Sequence, residues 1–565
     1  MKTSPRRSFL LIAQLCVLAL AATLPATAHA RAAPDIASQL DALVSASFDA
    51  RHAGAVVLVK RGDRVLLRKA YGMADLELGV PMRPELIFKL GSLTKQLTAA
   101  AIMILVDRGR LSLQDDVHKL IPELPRKLPV ITIEQLLTHT SGIPSYTEQP
   151  AFARRSREAL THEELVATFK DLPLDFSPGE KWRYSNSGYY LLGMVIEKIS
   201  GMSYAKFLDA NIFAPLAMTH SRYDDGKQLV VGRVSGYDRA GDQLTHAEPI
   251  SMTAPFAAGG LISNVDDLAR WDRAISDGKL LAPRSWERVF TAAKLEDGSS
   301  THYGFGWTIG QWQGHRMLSH GGAIPGFSAA IVRLPEDRAL AVVLCNSLPA
   351  ATNPMDLAVK LAAAAIGEPM ADPKAVAIEP TTLERYAGVY RVDDKLRVFV
   401  RRDGDHLTLQ RSGGPRLRLA AASIGAFFVK DTSLRVAFLD DEAGHVTALE
   451  ASQADGMTMR HPRTDEALPA ERTEVTLDPK ILDRYVGAFE LAPGFVIVVT
   501  RVGSRLFAQA TGQPRFELFA TAADELFLKE VDAQLSFRVA SDGRADTLVL
   551  HQGGRDLVGK RCDGK

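Results

Sequence analysis

The last third of the chain repeats itself, and this repeat constrains the fold more than any other feature of the sequence. Residues 383–390 read LERYAGVY, and residues 482–489, which lie 99 positions later, read LDRYVGAF. So many matches at one offset indicate two copies of one structural unit. The same offset pairs eight further identical residues: Leu407 with Leu506, Gln410 with Gln509, Pro415 with Pro514, Leu419 with Leu518, Phe428 with Phe527, Lys430 with Lys529, Phe438 with Phe537 and Gly444 with Gly543.

Each copy has the pattern of a small all-β domain. Short alternating strands are separated by turn residues at intervals of about 8–12 residues. This spacing predicts an antiparallel β-barrel for each copy, at residues 371–475 and 476–565. Because a barrel of this size is filled by its own side chains, a structural role without a ligand is the simpler interpretation. Attachment to the cell envelope is the alternative.

Residues 31–370 predict a mixed α/β (α+β) domain. Two apolar runs, 55–60 and 64–68, flank Arg61-Gly62-Asp63 and predict a β-hairpin of the main sheet. Further helices are predicted at about 36–50, at 133–144 with a stop at Gly142 and Pro144, and after an N-cap at Asn264. A helix at 355–366 is expected to close the domain against the sheet.

Residues 1–30 have the pattern of a cleaved secretion signal. Lys2, Arg6 and Arg7 are basic, residues 9–24 are apolar, and residues 28–30 form a small-x-small cleavage site. We therefore expect a periplasmic or secreted protein without stable membrane insertion after cleavage. The run Arg-Arg-Ser-Phe-Leu that starts at Arg6 fits a twin-arginine signal about as well as a general one.

Charge and cysteine content give no support for a nucleic-acid-binding protein or for a fold held together by disulfides. The net charge of +1 gives no reason to expect a nucleic-acid partner. Cys345 lies in an apolar run that predicts a buried strand, and Cys562 lies in the polar tail, so we expect no disulfide between them. No cluster of histidines and cysteines suggests a metal, and no cofactor is predicted.

Candidate catalytic residues begin with Ser92 and Lys95, which lie three positions apart at the start of an apolar run. Residues at this spacing share one face of a helix. A neutral serine is a poor nucleophile and needs a neighbouring base. Lys95 beside a helix N-terminus can contribute to that activation.

Two later segments can complete the site. Tyr184 and Asn186 lie in a loop before a predicted helix. A nearby ammonium favours the phenolate form of a tyrosine, which can then act as a general base. The amide of Asn186 can bind a substrate amide or Lys95. His320-Gly321-Gly322 begins a strand, where glycines let a ligand approach the edge. The N–H groups of Ser92 and Ala323 would form the oxyanion hole.

The ordered motifs Ser-x-x-Lys, Tyr-x-Asn and His-x-Gly resemble those of serine penicillin-recognising hydrolases of the class C β-lactamase type. That group includes D-alanyl-D-alanine carboxypeptidases, D-aminopeptidases and esterases. The resemblance covers about residues 36–370 and includes the stretches 136–144, 258–261 and 303–307. It implies a β-lactamase/transpeptidase-like fold with a helical cluster beside an antiparallel sheet. It also implies Ser92 as nucleophile, Lys95 as proton-relay partner and Tyr184 as general base.

His320 departs from the class C β-lactamase pattern, which has lysine there. A mostly neutral histidine holds a carboxylate less strongly than an ammonium does, so efficient β-lactamase activity is not expected. The two barrels add a similarity to the D-aminopeptidase architecture, in which a barrel loop reaches toward the catalytic site.

These patterns predict a secreted serine hydrolase that acts on peptides containing D-amino acids, including peptidoglycan fragments. Carboxylesterase and weak β-lactamase activity are the enzymatic alternatives. A penicillin-binding sensor or cell-wall-binding module is the non-enzymatic alternative. The sequence makes no prediction of an oligomeric state.

Overall fold

The computed structural model describes residues 35–562, except 126–128, 241–242, 371–372, 394–395, 431, 454–455, 471, 493–494, 512–514 and 554. The predicted signal, residues 1–30, lies outside this range. No helix in the described part of the chain is long and apolar enough to cross a membrane. The architecture confirms the expected class: a mixed α/β domain followed by two β-barrels.

The first domain is built around a six-stranded antiparallel sheet, in the order β10 (Thr308–Trp312), β11 (His315–Ile324), β12 (Phe327–Leu334), β13 (Ala339–Cys345), β1 (Ala55–Arg61) and β2 (Arg64–Tyr71). The predicted hairpin forms β1 and β2, in the main sheet as expected. Short strands form smaller sheets around it. The strands of this domain are β1 (Ala55–Arg61), β2 (Arg64–Tyr71), β3 (Met73–Asp75), β4 (Val80–Pro81), β5 (Phe88–Lys89), β6 (Arg222–Tyr223), β7 (Tyr237–Ala240), β8 (Gln243–His246), β9 (Leu261–Ser263), β10 (Thr308–Trp312), β11 (His315–Ile324), β12 (Phe327–Leu334), β13 (Ala339–Cys345) and β14 (Ser347–Leu348).

Helices cover both faces of this sheet. Side chains alternate along a strand, so Val56 and Leu58 of β1 join the core beneath the helical cluster, whereas Val57 and Val59 join a second core beneath two helices. The helices are α1 (Ile36–Ser45), α2 (Thr94–Asp107), α3 (Val117–Leu120), α4 (Ile133–Leu137), α5 (Pro150–Arg155), α6 (His162–Val166), α7 (Asn186–Ser200), α8 (Tyr204–Leu208), α9 (Phe256–Gly259), α10 (Val265–Ser276), α11 (Pro283–Val289), α12 (Pro354–Ile366) and α13 (Pro380–Glu384).

Some helix ends lie where local sequence signals predicted them, and others do not. Asn264 caps α10 by accepting a hydrogen bond from the N–H of Asp267 at 2.9 Å, as predicted. The predicted closing helix is α12, which packs on the second core together with α1. The helix α1 ends five residues earlier than expected. The helix α4 ends at Leu137, well before Gly142, because His139 adopts a positive φ of 61°.

The two copies of the repeat form eight-stranded antiparallel barrels. The ends of the first copy meet through an isolated bridge between Tyr390 and Arg463. The second copy is closed by a regular ladder that pairs Phe489 with Arg561. The strands are β15 (Gly388–Arg391), β16 (Arg397–Asp403), β17 (His406–Arg411), β18 (Arg416–Ser423), β19 (Ala426–Phe428), β20 (Arg435–Asp440), β21 (Val446–Ser452), β22 (Thr458–Pro462), β23 (Gly487–Ala492), β24 (Phe495–Val502), β25 (Arg505–Ala510), β26 (Arg515–Ala522), β27 (Glu525–Phe527), β28 (Ala533–Val539), β29 (Ala545–Gln552) and β30 (Arg555–Arg561).

Candidate active site

Ser92 lies in a 3₁₀ turn, Gly91–Leu93, that leads directly into α2. Its side chain is half-buried and lines an open cavity beside β11. Gly91 has a φ of +53°, and a Cβ at this position would stand 2.8 Å from the backbone nitrogen of Ala323. Only glycine therefore lets the serine turn approach the strand this closely. The approach brings Ser92 and Ala323 to the same cavity.

Lys95, at the second position of α2, is completely buried. Its Nζ lies 3.1 Å from the Oγ of Ser92. It also lies 2.8 Å from the Oδ1 of Asn186 and 2.8 Å from the carbonyl oxygen of Ala258. Burial lowers the pKa of this lysine well below its usual value, because loss of hydration penalises the charged form.

These three contacts indicate how a neutral Lys95 would be oriented. The carbonyl of Ala258 can only accept hydrogen bonds, and the Oδ1 of Asn186 is likewise an acceptor. A neutral amine has two N–H donors and one lone pair, so these two acceptors take both donors. The lone pair then faces the Oγ of Ser92, the remaining neighbour at hydrogen-bonding distance. In this arrangement the serine proton can pass directly to Lys95.

Tyr184 lies in the loop before α7 and lines the same cavity as Ser92. Burial raises the pKa of this tyrosine, and the neighbouring Ser92 only partly opposes the increase. The Nζ of Lys95 lies 4.7 Å from the centre of the Tyr184 ring, so the lysine is placed against the ring face. The expected phenolate is therefore not favoured: the pKa shifts of Tyr184 and Lys95 both oppose a phenolate–ammonium pair.

Asn186 begins α7, after the N-cap residue Ser185. Its Oδ1 accepts from Lys95, and its Nδ2 donates to the Oγ1 of Thr147 at 3.1 Å. Of the two roles predicted for this amide, the structure shows the one toward Lys95. The side chain joins the lysine to the loop that precedes α5.

His320 lies on β11, and both of its ring nitrogens have partners within the protein. The Nδ1 lies 2.6 Å from the carbonyl oxygen of Gly321, and the Nε2 lies 2.8 Å from the hydroxyl of Tyr303. Since a carbonyl can only accept, Nδ1 carries the proton and a neutral Nε2 accepts from Tyr303. Burial lowers the pKa of His320 to about 4.

The two glycines after His320 have different surroundings. A Cβ on Gly322 would collide with the carbonyl oxygen of Leu90, so this glycine admits the serine turn. A Cβ on Gly321 would meet only Met355 and Ala329, at 3.8 Å or more. The prediction of close ligand approach thus fits Gly321, whereas Gly322 is required for packing of the protein against itself.

His139 and Tyr303 had no role predicted from their motifs, although both lie in stretches that carried the resemblance. His139 is buried, its ring centre lies 4.3 Å from that of Tyr184 and 4.8 Å from that of Tyr303, and its Nδ1 accepts from the N–H of Ser185 at 3.2 Å. Burial lowers its pKa well below the usual value. The two residues hold the ring of Tyr184 and the imidazole of His320 in place.

The cavity beside Ser92 measures about 540 Å³. The apolar part of its wall is formed by Leu348, Pro349, Ala350, Pro354 and Met355. Every described residue that lines it belongs to the first domain, so the barrel loop implied by the D-aminopeptidase similarity is not among them. The first barrel instead contacts α12, through hydrogen bonds from the N–H and hydroxyl of Ser433 to Asp356. Within the described ranges, no group of three or more His, Cys, Asp or Glu side chains is placed to hold a metal.

Three stretches of the chain match family models. Residues 35–365 match the family described as Beta-lactamase. Residues 372–463 and 471–561 each match a domain of unknown function, DUF3471. One domain family thus accounts for both copies of the repeat.

Individual relatives are similar to the chain over long stretches. Penicillin-binding protein 4* of Bacillus subtilis (strain 168) is 30% identical over 406 residues, which cover 68% of this chain and 89% of that protein. The octameric penicillin-binding protein homologue from Pyrococcus abyssi has a TM-score of 0.53 at 26% identity, over 74% of this chain and 98% of that one. A D-stereospecific amidohydrolase from Streptomyces sp. has a TM-score of 0.50 at 27% identity, over 56% of this chain and 96% of that one.

Proposed function

The chain belongs to the beta-lactamase family of serine hydrolases, and from this premise we propose that it cleaves amide or ester bonds through an acyl-enzyme on Ser92. The observation that carries the proposal is the contact between Lys95 and Ser92. The Oδ1 of Asn186 and the carbonyl oxygen of Ala258 can only accept hydrogen bonds, so they take both N–H donors of the neutral amine. The amine then presents its lone pair to the hydroxyl of Ser92. Such a neighbouring base activates a serine nucleophile.

In the proposed acylation step, the serine proton moves first to Lys95 and then to the leaving atom. As the Oγ of Ser92 bonds to the substrate carbonyl carbon, its proton passes to the Nζ of Lys95. The N–H groups of Ser92 and Ala323 stabilise the oxyanion. When the C–N or C–O bond breaks, the proton on Lys95 returns through the hydroxyl of Tyr184 to the leaving atom. Tyr184 is thus a proton relay, in place of the phenolate base expected from sequence.

Deacylation reverses the path. A water molecule gives its proton to Lys95 by way of Tyr184 and attacks the acyl carbon. Collapse of the second tetrahedral intermediate breaks the bond to Ser92, whose Oγ regains a proton from Lys95. The products are the acid and a free enzyme in its starting protonation state.

Labelling with a fluorophosphonate probe tests the nucleophile. We expect Ser92→Ala to abolish labelling of the full chain. Ser185→Ala is the matched control, because Ser185 adjoins Tyr184 and its Oγ has no hydrogen-bond partner within the described residues. That variant should be labelled as strongly as the wild type. Undiminished labelling of Ser92→Ala would overturn the assignment.

For the substrate class, D-amino-acid amides or peptides are the first candidate. The similarity to the Streptomyces D-stereospecific amidohydrolase supports it. D-alanine 4-nitroanilide, with L-alanine 4-nitroanilide as the matched control, tests it directly. We expect release of nitroaniline from the D isomer at a rate at least about tenfold higher; equal rates would remove this candidate.

A carboxylesterase is the second candidate, and the apolar wall of the cavity favours it. Efficient β-lactamase activity is disfavoured because His320 is buried, neutral and bonded to Tyr303. Turnover of 4-nitrophenyl butyrate well above that of nitrocefin is the expected result. Efficient nitrocefin hydrolysis would contradict it.

Export across the cytoplasmic membrane is part of the proposal and is supported by the basic, apolar and small-x-small segments of residues 1–30. Cell fractionation should find the wild type outside the cytoplasm and a variant that lacks residues 2–30 inside it. Replacement of Arg6 and Arg7 by lysine should block export only if the route is the twin-arginine one.

A further inference from the structure

We propose that the cavity beside Ser92 receives an uncharged, apolar part of the substrate, so that esters and amides without a carboxylate near the scissile bond are preferred. This inference rests on the proposed function, because it concerns the specificity of the same site. Two independent observations carry it. One is the bonding of His320, and the other is the chemistry of the cavity wall.

His320 has no N–H group to offer an anion. The proton on its Nδ1 is directed to the carbonyl oxygen of Gly321, and its Nε2 is occupied by the hydroxyl of Tyr303. Protonation of Nε2 would convert it into a donor toward Tyr303, whose hydroxyl would then have to reverse. The imidazole is also almost completely buried. It therefore acts as a neutral part of the wall.

No other described residue of the lining supplies a charge. Serines, a tyrosine, glycines, alanines and an asparagine complete the set: Ser92, Ser328, Tyr184, Gly321, Gly322, Ala323, Ala329 and Asn353. The hydroxyl of Ser328 already donates to the carbonyl oxygen of Ser347 at 2.8 Å. Asn353 uses its Oδ1 to cap α12. The polar groups of the lining are thus few and neutral.

The rest of the lining is apolar. It consists of Leu348, Pro349, Ala350, Pro354 and Met355. Burial of apolar surface against such a wall is favourable. Burial of a carboxylate there would remove its hydration without a counter-ion, which is costly. The wall therefore selects a neutral apolar group over an anionic one.

Three esters of equal acyl length test the inference on the full-length wild type. They are 4-nitrophenyl hexanoate, mono(4-nitrophenyl) adipate, with a carboxylate on the acyl side, and 3-carboxy-4-nitrophenyl hexanoate, with one on the leaving side. We expect at least one anionic ester to have a kcat/KM about a hundredfold below that of the hexanoate. If both anionic esters lie within threefold of it, the inference is overturned.

A gain-of-charge variant sharpens the test. Met355→Lys places an ammonium in the wall and should raise kcat/KM for the penalised ester about tenfold relative to the neutral one. Leu78→Lys is the matched control, because Leu78 is 78% exposed at a hairpin outside the cavity; it should leave the ratio unchanged. If Met355→Lys does not fold, Ala350→Lys on the same wall replaces it. An unchanged ratio in a folded wall variant contradicts the inference.

Failure of the inference is distinguishable from failure of the proposed function. The neutral fluorophosphonate reports the Ser92 nucleophile independently of any carboxylate. If Ser92-dependent labelling is absent, the proposed function fails. If labelling is normal and the anionic esters are preferred, only the inference about the cavity fails.

Discussion

The catalytic domain and the two barrels bury different kinds of side chain. Thirty polar or charged residues are buried in the described chain, and only four of them, Thr408, Gln410, His461 and Thr547, lie in the barrels. The catalytic domain buries charge-bearing groups such as Lys95, whereas each barrel closes on an apolar core. Burial of a polar group costs stability unless it is bonded. The difference indicates that polar side chains buried for function, at a cost in stability, are concentrated in the first domain.

The largest effect is expected at Lys95, where a substitution should abolish most activity without a comparable loss of stability. Lys95→Met removes the base and should lower kcat/KM at least about a thousandfold. Stability should fall less than in a barrel-core variant, because Asn186 and Ala258 lose a donor while removal of a group that is costly to desolvate offsets part of that loss. Ester turnover and thermal unfolding of the same preparation check both. A fall in Tm as large as that of a barrel-core variant would contradict the comparison.

The converse effect is expected in the barrel cores. Phe438→Ala and Phe537→Ala remove the same side chain from the two copies, and each should cost its barrel about 3–5 kcal/mol of unfolding free energy. Ser92 and its neighbours are far removed in sequence and share no core cluster with either residue. We therefore expect kcat of the folded fraction to stay within about twofold of the wild type. Denaturant unfolding and active-site titration measure the two quantities.

The pH dependence of kcat/KM distinguishes a lysine base from a tyrosine base. A neutral Lys95 is the active form and burial lowers its pKa, so activity should rise with pH and reach a plateau below the ordinary lysine pKa of about 10.4. Because the pKa of Tyr184 is raised above 10, a phenolate base would make activity rise further beyond pH 10. A continued rise would therefore contradict the assignment of Lys95.

The dependence of stability on acidic pH should also differ between the catalytic domain and the barrels. The folded pKa of His320, about 4, lies below the unfolded value near 6.5. The unfolded state then binds more protons between these values, so the catalytic domain should lose stability as pH falls from about 6.5 to 4. His320→Gln should reduce that loss. Denaturant midpoints at several pH values measure it, and an equal acid sensitivity in the variant would argue against His320 as its source.

The smallest expected effect is on KM, and it should distinguish variants of the first barrel from variants of the second. Ser433 of the first barrel bonds to Asp356, next to Met355 of the cavity wall. Ser433→Ala should raise KM about twofold to threefold with little change in kcat, and Ser433→Thr should restore it. Ser536→Ala in the second barrel is the matched control, because among the described residues its hydroxyl bonds to His551 of the same barrel. Equal effects of the two alanine variants would remove the distinction.

Local patterns were sufficient for much of this protein. The alternation and turn spacing of the repeat predicted the barrels, because each barrel closes largely through hairpins between neighbouring strands. The cap at Asn264 could be predicted because the capping bond joins two residues that are only three positions apart. Ser92 and Lys95 were readable for the same reason: one helical turn joins them.

Long-range contacts were not readable in this way. The bonds of Lys95 to Asn186 and Ala258 span 91 and 163 residues, and the bond between Tyr303 and His320 depends on how the strand β11 meets the loop before β10. Motif order predicted which side chains belong to the site, whereas their protonation depends on burial. Burial reverses the expectation for Tyr184 and neutralises His320, since the dielectric around a side chain is set by everything folded against it.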